Sequence, residues 1–285
     1  RAIDAAGGLV LGAAAGLALV WVVGAVALHL PGQTELRRGA QRSAVLQGLN
    51  GIVPPDRLME AIERVDPFPT FAGPLGPVDP PDPALLGRPG VRRAAPSVVR
   101  VVGNACGLAV SGSGWVAAPR LVVTAAHVIA GQRETTVERL GVRLRARAVA
   151  FDARNDVAVL RVSGRLGAPP LRLGDGNRGE AVAILGFPEN GPFAAAPGRL
   201  GRTTTVLSED AYGRGPVMRT VTSLRGDVRH GNSGGPAVNA QGAVETTVFA
   251  ARVGSSGGFG VPPKLVRRAL ASAGPPVSTG ECAAG

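Results

Sequence analysis

Three side chains in this sequence are of the types that together turn a hydroxyl into a nucleophile: His127, Asp156 and Ser233, in that order. His127 sits in TAAHV (Thr124 to Val128), Asp156 in NDVAVLRV (Asn155 to Val162) and Ser233 in GNSGGP (Gly231 to Pro236). A serine hydroxyl is a poor nucleophile near neutral pH and needs a base within hydrogen-bond reach. An imidazole can take that proton and return it to a leaving amine. A carboxylate behind it fixes the tautomer and stabilises the imidazolium. Glycines around Ser233 let the backbone turn sharply, aiming the N–H groups of Gly231 and Ser233 at a developing oxyanion. Each motif alone is weak. A lone His after a strand is usually structural, an Asp before an apolar run is usually a cap, and GNSGGP alone is a Gly-rich turn. Their order, with each at a strand end, argues for one site.

The elements that must position these groups read as strands. From about Ala95, short Val-rich runs recur between Gly and Pro turns: SVVRVVG, GLAVSGSGWVA, RLVVTAAHVI, DVAVLRV, EAVAILGFP, PVMRTVTSL, GPAVNAQG, GAVETTVFAA and GFGVPP. This spacing, without long helical periods between the runs, predicts an all-β barrel or sandwich. The stretch is long enough for two small barrels, about 95–168 and 169–275, with a short helix over Lys264 to Ala273. The segment Glu189 to Arg199, rich in Gly, Pro and Ala, reads as a mobile flap or an ordinary hairpin loop.

At GSGWVA (Gly112 to Ala117), TAAHV, NDVAVLRV and GNSGGP the sequence resembles the trypsin-like double β-barrel serine proteases. The same chemistry occurs in other chain orders on unrelated folds, so the order is informative. The resemblance implies a triad straddling the cleft, with His127 and Asp156 in the first barrel and Ser233 in the second. GNSGGP, GFP at Gly186 to Pro188 and GFGVP at Gly258 to Pro262 are similar to the HtrA branch. That branch usually carries a PDZ domain, for which the 22 residues after Pro263 are too few. A bare protease region behind a membrane helix and Pro-rich tether looks more like the actinobacterial MarP-type membrane proteases, which carry a colicin V production-like (CvpA) membrane region. The implied function is envelope proteolysis in acid or oxidative stress resistance, with no cofactor.

Residues 7–30 contain no Asp, Glu, Lys or Arg. About 20 such residues cross a hydrocarbon core as a helix, so 1–30 reads as a transmembrane segment contacting lipid. A signal peptide would be shorter and would have more than Arg1 before it. Gly8, Gly12 and Gly16 share one helical face suited to close packing in lipid. Arg37, Arg38 and Arg42 follow the run and by the positive-inside rule would keep the rest in the cytoplasm. Cys106 and Cys282 argue the opposite: they are buried thiols or one disulfide, and a bridge between a strand start and the tail would need an oxidising compartment. The cysteines outweigh the arginines here, placing the protease region on the extracytoplasmic (periplasmic) side of the cell membrane. Residues 31–94 read as a linker, with short helices at Ala40 to Leu49 and Asp56 to Val65 and then a Pro-rich stretch expected to be extended. Arg88 to Arg93 is a candidate self-cleavage segment.

The composition excludes other classes. The net charge of +11 comes from 31 basic against 20 acidic residues over 285 positions. The arginines are scattered and aromatics are few, which disfavours a nucleic-acid partner. Neither CxxC nor a Cys/His cluster occurs, so no metal site is expected. Specificity is less legible. Asp227, six residues before Ser233, falls where this fold places the base of the S1 pocket, or is a solvated loop residue paired with Arg225 or Arg229. His230 is a cleft-rim or plain surface histidine. Val248, Phe249 and Ala250 are expected to form the edge that pairs with the backbone of a protein or peptide substrate. Two rival functions remain: a membrane scaffold or secretion factor whose protease fold only binds peptides, and an esterase or an enzyme that processes only itself.

Overall fold

The computed structural model describes residues 12, 16, 70–71, 78–105, 108–252 and 256–281. The apolar run 7–30, apart from Gly12 and Gly16, lies outside them, as do the 40–49 and 56–65 segments, Cys106 and Cys282. Among the described residues no helix is long and apolar enough to cross a membrane.

The first barrel is built from β2 (Val98–Ala105), β3 (Leu108–Ala118), β4 (Leu121–Thr124), β5 (Gln132–Arg139), β6 (Val142–Asp152) and β7 (Val157–Val162). They close in the order β2-β3-β4-β7-β6-β5. Val99, Val101, Trp115, Val122, Val123, Val159 and Leu160 on these strands are all fully buried, some facing the barrel interior and some its outer, covered face. Along β6, Arg143, Arg145 and Arg147 face solvent while Ala146 and Ala148 are buried. Much of the basic excess here is therefore the solvated face of a barrel strand.

The second barrel uses β8 (Ala181–Gly186), β9 (Ala194–Ser208), β10 (Val217–Gly226), β11 (Pro236–Val238), β12 (Val244–Arg252) and β13 (Gly258–Val261). They run in the order β12-β11-β8-β9-β10-β13, and the β12–β13 pairing closes the ring. A two-residue strand, β1 (Thr70–Phe71), pairs in parallel with the end of β12. The first half of the Glu189 to Arg199 segment contains a single 3-10 turn at Pro188–Asn190. The rest is β9 laddered to β8, an ordinary hairpin.

The Pro-rich stretch departs from the extended chain expected of it. Pro83–Gly87 is a 3-10 helix and α1 (Pro89–Ala94) is an α-helix. Each opens on its proline, where the missing N–H has no intrahelical partner to lose. Leu85, Val91 and Ala94 join the core. The Arg88 to Arg93 stretch is thus folded, and a side chain at Gly90 would collide with the backbone at Ala240 and Gln241. Two further helices are α2 (Ala126–Ile129) and α3 (Pro263–Ala271).

The barrels are tied together by hydrogen bonds, of which the first is fully buried. Trp115 Nε1 of β3 donates to Thr247 Oγ1 of β12 at 3.1 Å, with both residues buried. The Leu171 N–H, on the connecting segment, donates to the Val116 carbonyl at 2.8 Å. Glu245, also buried, accepts from the Gly176 N–H and from Asn239 Nδ2, both at 2.6 Å, which pins the 174–176 turn to β12. We expect Trp115→Phe to lower stability by about 1–3 kcal/mol, the usual cost of stranding a buried polar partner. Urea unfolding should show a lower midpoint at an unchanged slope, and an unchanged midpoint would mean that this seam bond contributes nothing.

Candidate active site

Strand register brings the first two residues together. Thr124, the last residue of β4, stands opposite Ala158 of β7. The strands are antiparallel, so the chain leaving Thr124 runs towards the residues preceding Ala158. Ala125 and Ala126 are small enough to let α2 sink into the core, and every residue of α2 is buried. His127 therefore lands beside Asp156.

The contact is two-pronged. His127 Nδ1 lies 2.7 Å from Asp156 Oδ2, and the His127 backbone N–H donates to Oδ1 at 2.9 Å. On the other side of the ring, Nε2 lies 2.9 Å from Ser233 Oγ. A carboxylate can only accept, so Nδ1 carries the proton and Nε2 is left as the acceptor for the serine hydroxyl. Asp156, His127 and Ser233 are all buried. Burial alone would push the Asp156 carboxyl up. The charge and hydrogen bonds of His127, then the Arg219 guanidinium, outweigh it and hold the carboxyl below its ordinary range. Asp156 also has φ +57°, in the left-handed region that Asp tolerates better than most residues.

Ser233 comes from the second barrel, between β10 and β11. Arg229 to Asn232 form a turn closed by the Asn232 N–H on the Arg229 carbonyl at 3.1 Å. Asn232 Oδ1 accepts from the Arg229 N–H at 2.9 Å, which caps it. Gly231, third in the turn, has φ +85°, and His230 is not in the positive region. That is a type II turn, which requires glycine at this position. In a trans peptide the carbonyl and the next N–H point opposite ways. The His230 carbonyl is held by the Glu189 N–H at 2.7 Å, so the Gly231 N–H faces away from it.

Ser113 of β3, buried at the centre of the seam, holds the same loop from the first barrel. Its Oγ donates to the Gly231 carbonyl at 2.6 Å and accepts from the Phe187 N–H at 2.9 Å. Its backbone N–H donates to the Ser233 carbonyl at 2.7 Å. The 187–191 segment is in turn clamped by Arg100, whose guanidinium bonds the carbonyls of Asn190 at 2.9 Å and Gly191 at 2.5 Å. The same guanidinium lies 4.8 Å from the centre of the Phe187 ring. Sequence reasoning quoted GSGWVA and GFP but gave Ser113, Arg100 and Glu189 no role. Their partners are 118, 90 and 41 residues away, and local pattern carries no signal of that.

The specificity candidates are distributed differently. Asp227 is half exposed and its Oδ2 lies 2.6 Å from Arg229 Nη2, a solvated loop pair. His230 is exposed at the edge of the turn. Val248, Phe249 and Ala250 are fully buried in β12. Val248 exchanges hydrogen bonds with the Ser233 loop, its N–H with the Gly235 carbonyl and its carbonyl with the Gly234 N–H. A bulge at Phe249 interrupts the register with β13. Asp210 and Tyr212, unassigned from sequence, are structural: Asp210 Oδ1 caps its own turn, and the Tyr212 hydroxyl donates to the Thr279 carbonyl of the tail. Among the described residues no cluster of three or more His, Cys, Asp or Glu is arranged to hold a metal ion.

The chain is similar to known proteases in sequence and in fold. Residues 112–244 match the trypsin-like peptidase domain family. The serine protease Rv3671c of Mycobacterium tuberculosis is 33% identical over 99% of this chain and 75% of its own length. Human serine protease HTRA4 is 31% identical over 64% of this chain and 40% of its own. Among solved structures, the active form of the Rv3671c protease superposes with a TM-score of 0.69 at 37% identity, covering 76% of this chain and 98% of that one. The HtrA-type protease AlgW bound to a tripeptide gives 0.57 at 25% identity, over 64% and 62%. On its sequence and its double barrel alike, this chain belongs to the trypsin-like serine proteases of the HtrA and Rv3671c type.

Proposed function

We propose that the chain is a membrane-anchored serine endopeptidase that cleaves envelope proteins on the extracytoplasmic side, with His127, Asp156 and Ser233 as its triad. The observation that carries this reading is the unbroken buried chain of hydrogen bonds from Asp156 through His127 to Ser233 Oγ. In it, His127 takes the Ser233 proton as the oxygen attacks the scissile carbonyl, then delivers it to the leaving amine. Asp156 holds the ring and stabilises the imidazolium. The N–H groups of Gly231 and Ser233 receive the oxyanion, and the substrate backbone pairs along β12 beyond Val248, at Phe249 and Ala250, since both backbone groups of Val248 are bonded to the Ser233 loop. The membrane anchor rests on the apolar run 7–30, and the extracytoplasmic side on the cysteine pair. A part in acid or oxidative stress resistance extends the resemblance to the MarP-type proteases.

The test is labelling of the 285-residue chain in detergent with a fluorophosphonate probe. We expect wild type to label and Ser233→Ala not to. Labelling of neither protein between pH 5 and 8 would overturn the catalytic reading. Asp156→Asn should keep the fold and lower peptide turnover by roughly 10⁴, the loss typical when the base is held in the wrong tautomer. Ser113→Ala removes the bond to the Gly231 carbonyl and the bond from the Phe187 N–H, and so loosens the turn whose His230–Gly231 peptide carries the oxyanion donor. Its labelling rate should fall, by no more than the ~10²–10³ typical of losing an oxyanion donor outright. A rate equal to wild type would show that Glu189 alone orients that peptide.

A further inference from the structure

Among the described residues near the triad, Arg219 of β10 stands out as one whose burial runs against stability. It is 3% exposed, and neither Nε nor Nη1 has a hydrogen-bond partner. Its guanidinium carbon lies 4.2 Å from the centre of the Phe249 ring, which covers one face. Nη1 stands 3.8 Å from Asp156 Oδ2, an ion-pair distance too long for a hydrogen bond. That oxygen is the one bound by the His127 ring. A buried guanidinium with unmet donors is expensive, and an apolar side chain of similar volume is usually as stable or more so. Packing alone therefore does not account for an arginine here.

We propose that Arg219 is a positioning residue of the triad, a fixed buried positive charge that keeps Asp156 ionised and aimed at His127. This rests on the triad reading given above. The charged groups facing the guanidinium are Asp156 from the β6–β7 turn and, farther off, Glu209 and Asp210 from the β9–β10 turn. His127 of α2 stands across Asp156, and exposed Arg154 binds the neighbouring Met218 carbonyl. Arginine, unlike lysine, stays charged at such a site. Burial pushes the guanidinium down from its usual value, and Asp156 opposes that.

The functional consequence is electrostatic. On the acid side, protonation of Asp156 would break its pairing with His127. A positive charge held beside the pair opposes that proton wherever it sits. The pair therefore stays in its working state to lower pH than it would without Arg219. Removing the charge leaves the burial of Asp156 less opposed, so the proton binds at higher pH.

The rate of fluorophosphonate inactivation, measured from pH 4.5 to 9 on the full chain, reads this directly. In Arg219→Met the acid limb should move up by about one pH unit, a modest share of what Coulomb's law allows for a charge this close. Arg219→Lys should reverse the shift only in part, because a buried ammonium gives up its proton more readily than a guanidinium. The urea midpoint of Arg219→Met should be equal to or above that of wild type. Superimposable pH profiles, or a lowered midpoint with an unmoved acid limb, would overturn the proposal and leave a structural arginine. Should Arg219→Met not fold, Arg219→Gln carries the same test. Absence of labelling in wild type, or its persistence in Ser233→Ala, would instead count against the triad reading itself.

Discussion

Two halves of one site are carried by two barrels, so the chemistry depends on registry across the seam between them. A misplacement of about 1 Å is enough to cost a site of this kind a hundredfold. Ser113 is the residue that prevents it. From one position on β3 it bonds the Ser233 carbonyl, the Gly231 carbonyl and the Phe187 N–H, while its own carbonyl accepts from Thr124 Oγ1 just before α2. Ser233, the Gly231 turn and the strand leading to His127 are thus referred to a single buried point. Three of these four bonds are buried, and loosening one of those leaves a buried polar group unmet.

Local backbone strain is concentrated at the same place. Among the described residues four non-glycine positions have positive φ: Leu140, Asp156, Glu189 and Asn190. Leu140 is an exposed hairpin residue, and the other three touch the site. Asp156 is the carboxylate behind the histidine, Glu189 gives its N–H to the His230 carbonyl, and Asn190 is held by Arg100. Conformations of this kind persist only where surrounding contacts over-determine them. Here the surroundings are the buried His127 ring on one side and the Arg100 clamp on the other. Strain, buried charge and unmet donors gather within one region, while the barrels that carry it follow ordinary strand rules.

This division explains what was readable in the sequence. The strands of both barrels were legible because Val-rich runs between Gly and Pro turns are a local signal. His127, Asp156 and Ser233 stood out because each sits at the end of such a run. The Pro-rich stretch was misjudged at 83–94, because proline was weighed as a breaker and not as the first residue of a helix. Ser113 and Glu189 were illegible because their roles are defined by partners on other elements. Arg219 is an intermediate case. In VMRTV the inward positions alternate, and Arg219 falls in phase with buried Val221 while Met218 is exposed. An arginine in phase with an inward valine was a visible anomaly.

The glycines of GNSGGP acquire a second meaning from the fold. Read as a motif, they supply a sharp turn around the nucleophile. Gly231 does so, with its left-handed φ at the type II position. Gly234, also left-handed at φ +81°, carries a second constraint. Any side chain there would collide with the Ser113 carbonyl and Thr124 Oγ1. These are the acceptor and donor of one hydrogen bond between β3 and β4. Gly234 is therefore the space that lets the loop of the second barrel close onto the first. GSGWVA, TAAHV and GNSGGP, which the sequence presents as three separate signatures, meet around that one bond. Glycine at 234 is required by the serine at 113 and the threonine at 124 as much as by the turn it belongs to. The motif is a steric contract between barrels as well as a frame for the nucleophile.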